Sequence, residues 1–95
     1  MDISIIYVNY GTSGMIADSL RSVLTLTQGV EYEVIVVDNN SEKDLPERFG
    51  SMFPDVDIRY VMLDDNIGFG RANNAGFKIA RGRNMFCLLY TSDAA

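Results

Sequence analysis

The sequence predicts an α/β fold in three layers, α/β/α, around a mostly parallel sheet. Three observations predict it. Short runs rich in β-branched residues, such as Val34-Ile35-Val36-Val37, alternate with segments whose apolar residues recur at helical spacing. Each strand-like run ends in a polar cluster, Asn9-Tyr10, Asp38-Asn39-Asn40-Ser41 and Asn66 to Arg71. No apolar run is long enough to span a membrane, and 47% hydrophobic residues within 95 suffice for one small core.

The elements follow in chain order. Ile3 to Val8 is apolar apart from Ser4 and reads as a strand buried on both faces. From Ser13, the positions Ile16, Leu20, Val23, Leu24 and Thr27 give a helix, with Thr12 or Ser13 as N-cap and Gly29 as its stop. Tyr32 to Val37 is the second strand. Asp44 and Glu47 then have capping-box spacing, with Pro46 in the first turn and Leu45, Phe49 and Phe53 as the buried stripe. Asp57 to Leu63 alternates, as suits an edge strand with one more exposed face. A helix from Phe69 to Arg81 follows, with Gly82 at C′. Met85 to Tyr90 is the last strand. The order β-α-β-α-β-α-β implies parallel strands, right-handed crossovers and helices on both faces, a Rossmann-like arrangement.

Composition excludes several classes of function. Thirteen acidic residues against 8 basic, net charge -5, and the lack of a basic run argue against a nucleic-acid surface. The chain has no histidine, which removes His-based acid–base catalysis and His metal ligation. The single Cys87 lies in an apolar run and reads as a buried small hydrophobe. Met1-Asp2 lacks the positive region of a signal peptide, so the expected location is the cytoplasm or its membrane face.

In a parallel sheet of this kind, ligands bind outside the carboxyl ends of the strands. Asp38 therefore has two readings. It is a turn or N-cap residue for the next segment, or an acceptor for the ring N–H of a uracil or thymine base. Asn66 to Phe77 likewise reads as an ordinary glycine-containing loop before a helix, or as an anion cradle. In the second reading Gly68 and Gly70 free the backbone around Phe69, and Arg71 with the helix N–H groups meets a diphosphate. Asn73 and Asn74 sit near the helix start as hydrogen-bonding residues, and Gly76 implies close packing of helix on sheet. A P-loop motif is absent, and the turn after the first strand holds only Gly11 and Gly14, which is not a dinucleotide fingerprint.

Three segments together resemble the N-terminal part of a family 2 glycosyltransferase of GT-A fold, in the rhamnosyltransferase-like branch. They are Ser4-Ile5-Ile6-Tyr7-Val8-Asn9-Tyr10, Val36-Val37-Asp38-Asn39-Asn40-Ser41, and Asn66-Ile67-Gly68-Phe69-Gly70-Arg71-Ala72-Asn73-Asn74-Ala75-Gly76. The resemblance implies sugar transfer from a nucleoside diphospho-sugar, a UDP- or dTDP-sugar, to a hydroxyl of an acceptor glycan or lipid-linked sugar. It implies Mg²⁺ or Mn²⁺ as helper, a role in cell-surface polysaccharide synthesis, and membrane association of the parent enzyme as one arrangement. The donor-contacting positions it implies are Val8, Asn9, Tyr10, Asp38, Asn40, Asn66, Gly68, Phe69, Arg71 and Asn73. The family's metal-binding Asn-Pro-Asp segment has no match in Leu89-Tyr90-Thr91-Ser92-Asp93-Ala94-Ala95; only Asp93, offset by one position, is carried over. Residues 1–95 are thus expected to be the nucleotide-sugar-binding part of a longer enzyme, with no catalytic residue of their own and inactive alone. The competing reading is a small nucleotide-binding α/β domain without catalysis.

Overall fold

A computed structural model describes residues 1–26 and 29–89. Four strands and three helices alternate: β1 (Ile3–Asn9), α1 (Ser13–Leu26), β2 (Tyr32–Asp38), α2 (Leu45–Met52), β3 (Ile58–Met62), α3 (Phe69–Ile79) and β4 (Asn84–Leu89). The described sheet is parallel throughout, in the order β3-β2-β1-β4. The chain builds outward from β1 to β3 and then crosses back, so strand order reverses between β1 and β4.

Alternation along the strands splits the core in two. Ile5, Tyr7, Val34 and Val36 pack with Ile16 and Leu20 of α1 and Leu45 and Phe49 of α2. Ile6, Val8, Ile35 and Val37 face the other way, toward Ala72 and Phe77 of α3. The two central strands are buried from Ser4 to Asn9 and from Glu33 to Asp38, as unbroken apolar runs require. β3 is the edge strand expected, but both its faces are partly covered. Ile58 and Tyr60 lie against the α1–α2 core and Val61 against the α3 core. Gly76 is fully within α3, where a Cβ would stand 2.7 Å from Cγ2 of Ile6 and 3.1 Å from Cγ2 of Val37, so glycine permits the close approach.

Several local expectations are corrected. Helix α1 begins where expected, with the Thr12 carbonyl accepting from Ile16 N–H at 3.1 Å. The Thr12 and Ser13 hydroxyls, however, point to Asn9 and Glu42. The Asp44–Glu47 capping box does not form. Asp44 makes no side-chain cap bond, and its carboxylate lies 3.2 Å from Nε of Arg48. Gly70 is helical, and only Gly68 of the pair takes a positive φ, +86°. Asn73 and Asn74 consequently lie in the second turn of α3.

Helix α3 also stops two residues early, and Gly82 is not a left-handed C′ residue. Side chains from the strands end the helix instead. Arg59 Nη1 donates to the Ile79 carbonyl at 2.7 Å and to Oε1 of buried Glu33 at 2.9 Å. Glu33 Oε2 accepts from Arg81 N–H, and Ser4 Oγ accepts from Gly82 N–H at 2.8 Å while donating to Glu33. Gly82 is glycine because a Cβ there would strike the Ser4 backbone nitrogen at 2.5 Å. Thr27 and Tyr90, assigned above to a helix and a strand, lie outside the described residues. Among the described residues no helix is long and apolar enough to cross a membrane.

Candidate functional site

The polar clusters predicted at strand ends do converge. β1 and β2 run in register to Asn9 and Asp38, which are ladder partners. Both side chains are buried, so each needs hydrogen bonds. Asn9 Nδ2 donates to Asp38 Oδ1 at 2.8 Å and to Glu42 Oε2 at 2.9 Å, and Asn9 Oδ1 accepts from Thr12 N–H at 3.0 Å. Asn9 thus closes the loop that carries Tyr10 and Gly11. Gly11 takes a φ of +69°, and its N–H donates to Ser41 Oγ at 3.1 Å.

Asp38 organises the second loop. Its Oδ2 accepts from the N–H groups of Ser41 and Glu42, both at 3.0 Å, and its Oδ1 accepts from Ser41 Oγ at 2.8 Å as well as from Asn9. A carboxylate has about four lone-pair sites, and all four are engaged. The turn-residue reading of Asp38 is therefore realised in the geometry. Asn40, next along, is exposed in the left-handed region at φ 59°, one of the few residue types that tolerate it.

Asn39 fastens the second loop to the third. Its Nδ2 donates to Asn66 Oδ1 at 2.8 Å, and its Oδ1 accepts from Ile67 N–H at 2.9 Å. Asn66 Oδ1 also accepts from Gly68 N–H at 3.0 Å, and the Gly68 carbonyl starts α3 by accepting from Ala72 N–H. The N–H groups of Phe69, Gly70 and Arg71 lie in the first turn, where no intrahelical acceptor is available. Phe69 and Arg71 are exposed beside them.

The named positions therefore divide in two. Val8, Asn9 and Asp38 are buried; Val8 belongs to the core facing α3, and Asn9 and Asp38 hold the loops. Tyr10, Asn40, Asn66 and Gly68 are exposed on the same three loops, and Phe69 and Arg71 are exposed in the first turn of α3 that follows the third. Asn73 stands apart on α3, half-buried, where its Oδ1 accepts from the Cys87 thiol. Cys87 is half-buried rather than buried, and burial pushes its thiol pKa up. Asp93 lies outside the described residues. Among the described residues no three His, Cys, Asp or Glu side chains gather as a metal cage.

In the sequence Asn39 and Ser41 stand in the polar cluster after the second strand without a role of their own, and Glu42 is not singled out, although all three carry the joint. The available signal was the unbroken polar run Asp38 to Lys43, too long for a simple turn. Glu42 Oε1 also accepts from Ser13 Oγ at 3.0 Å and pairs with Arg48 Nη2 at 2.6 Å. Burial raises the Glu42 pKa, but the hydrogen bonds from Asn9 and Ser13 and the Arg48 charge outweigh it, leaving the carboxyl below its usual range.

A parallel α/β sheet with hydrogen-bonded, glycine-bearing loops at its strand ends has the architecture of a nucleotide-binding domain. The profile described as "Glycosyl transferase family 2" matches residues 4–95, and the chain belongs to that family. Succinoglycan biosynthesis protein ExoO of Rhizobium meliloti (strain 1021) is 37% identical over 82 residues, which is 86% of this chain and 23% of ExoO. The crystal structure of S. aureus TarS 1-349 in complex with UDP-GlcNAc has a TM-score of 0.73 at 24% identity, over 94% of this chain and 26% of that one. The mannosyltransferase PcManGT of Pyrobaculum calidifontis, in complex with GDP-Man and Mn²⁺, has a TM-score of 0.68 at 24% identity, over 83% of this chain and 24% of that one. These structures share the GT-A fold expected from the sequence. The chain spans about a quarter of the length of each of these relatives.

Proposed function

We propose that this chain binds the nucleoside diphosphate of a UDP- or dTDP-sugar. In the parent polypeptide this serves transfer of a hexosyl or rhamnosyl group to an acceptor glycan or lipid-linked sugar, in cell-surface polysaccharide synthesis at the cytoplasmic face. The observation that carries the reading is the joining of three strand-end loops by Asn9, Asp38 and Asn39. Rigid buried amides and a carboxylate hold exposed Tyr10, Asn40, Asn66, Phe69 and Arg71 in one region, the preorganisation a ligand site needs. Tyr10 offers a ring face to the base. Arg71 and the first N–H groups of α3 offer positive charge to the diphosphate. With its acceptor sites engaged, Asp38 acts on the base through loop geometry, and direct contact needs one of its present partners to turn away. Mg²⁺ or Mn²⁺ is proposed to ride mainly on diphosphate oxygens with one carboxylate, Asp93 in this chain. UDP-GlcNAc in TarS and Mn²⁺ with GDP-Man in PcManGT support donor and metal by kinship of fold.

The test is a titration of ¹⁵N-labelled chain with UDP, dTDP and CDP, with and without Mg²⁺. The expected result is saturable shifts at residues 9–12, 38–42 and 66–73, weaker for CDP. Shifts absent from those loops with every nucleotide would overturn the proposal.

A further inference from the structure

We propose that Glu42 is a positioning residue of this site: with Arg48 it fixes Asn9 and the start of α1, and so sets where the Tyr10 loop presents its ring. The inference rests on the nucleotide reading of the loops and adds a residue that touches no ligand in it. Glu42 is held from behind by its own N–H, which donates to Asp38 Oδ2. Its two carboxylate oxygens then face different elements. Oε2 takes Asn9 Nδ2 at 2.9 Å, at the end of β1. Oε1 takes Ser13 Oγ at 3.0 Å, at the first residue of α1, and Arg48 Nη2 at 2.6 Å, from α2.

Tyr10 and Gly11 hang between those two grips. Asn9 Oδ1 reaches across them to Thr12 N–H and Oγ1, closing the bridge. The bridge is therefore clamped at both ends by one carboxylate, while its exposed member, Tyr10, keeps 55% of its surface free. A carboxylate suits this place because every neighbour is a donor. Glutamine, of equal size, must turn an NH₂ group toward either the Asn9 amide or the Arg48 guanidinium, donor against donor. Arg48 also meets Asp44, so it ties the clamp to the first turn of α2.

The experiment compares wild type, Glu42→Gln and, as a surface control, Glu47→Gln on the exposed face of α2. Three quantities are read: the Asn9 side-chain and Tyr10–Gly11 backbone resonances, the UDP and dTDP dissociation constants, and the thermal melt. Glu42→Gln is expected to shift those resonances without nucleotide and to weaken UDP binding about tenfold, the scale of one lost charge-assisted hydrogen bond. Melts confirm that the titrated chain is folded, so an affinity loss reports the loop and not unfolding. If Glu42→Gln does not fold, Arg48→Met keeps the carboxylate but frees one grip, and the same loop shift with about threefold weaker UDP binding is expected. Unmoved Asn9 and Tyr10 resonances, or moved resonances with unchanged UDP affinity, overturn the inference. A wild-type chain that binds neither UDP nor dTDP instead overturns the nucleotide reading, and the ligand-free resonances keep the two failures apart.

Discussion

Replacing Gly76 by alanine sets two opposed effects against each other. In a helix interior alanine is favoured over glycine by roughly 1 kcal/mol. Here the new methyl would sit 2.7 Å from Ile6 Cγ2 and 3.1 Å from Val37 Cγ2, against about 3.5–4.0 Å for relaxed carbon contacts. Ile6 is fully buried and β-branched, so its methyl cannot swing away cheaply. Helix α3 must lift from the sheet, and overpacking of this kind costs typically about 1–3 kcal/mol. The net expectation is a loss of about 1 kcal/mol, a fall in Tm of roughly 4–8 °C for a domain of this size. Gly50, on the exposed face of α2 with no neighbouring atom within 4 Å of where a methyl would stand, provides the contrast. Gly50→Ala should gain about 0.5–1 kcal/mol and raise Tm by a few degrees. Thermal melts followed by far-UV circular dichroism read both. Equal gains from the two substitutions would refute the close seating of α3 on β1 and β2.

Further outcomes are expected elsewhere. Asp38→Asn should lower stability by about 1–3 kcal/mol, because an NH₂ group then faces N–H donors or the Asn9 amide; a urea midpoint equal to wild type would show the Asp38 bonds to be unimportant. Burial raises the Glu33 pKa, but the bonds from Ser4, Arg81 N–H and Arg59 outweigh it, so its folded value lies below the unfolded one, as for Glu42. Below the ordinary carboxylate range, about pH 4, the unfolded chain binds more protons and stability falls. Glu33→Gln should flatten that fall in urea midpoints measured at stepwise lower pH, and an unchanged slope would assign acid sensitivity elsewhere. β4 leaves Met85 and Phe86 exposed beside an edge, so the 95-residue chain should elute from size-exclusion chromatography with concentration-dependent association. A monodisperse monomer melting above about 60 °C would contradict this.

The larger elements were legible in the sequence because burial on both faces leaves an unmistakable apolar run. Val34 to Val37 and Ile3 to Val8 admit little else, and the helix stripe of Ile16 and Leu20 has one clear period. The polar residues at the strand ends were equally visible as types. Their partners were not. Glu33, Arg59 and Ser4 come from three strands, and only pairing in register brings them together to end α3 before Arg81. The same holds for Asp44, whose capping-box spacing lost to Arg48 one helical turn away. At the candidate site, the sequence left Asp38 as either a turn residue or a free acceptor, because its donors, Asn9 and the Ser41 and Glu42 N–H groups, become neighbours only once the loop closes. Long-range hydrogen bonds have no local periodicity to betray them.

The strand order also bears on how the chain is made. Of the four described strands β1 is synthesised before the others, yet one of its edges is completed only by β4, the last of them, which pairs Ile3 with Asn84. Pairing across such a separation is slow, since the whole intervening chain must be ordered or looped first. Until then β1 can join β2 and receive α1, but its second edge stays open. A nascent chain is therefore expected to carry an unfinished, apolar edge until β4 emerges, the kind of surface chaperones hold.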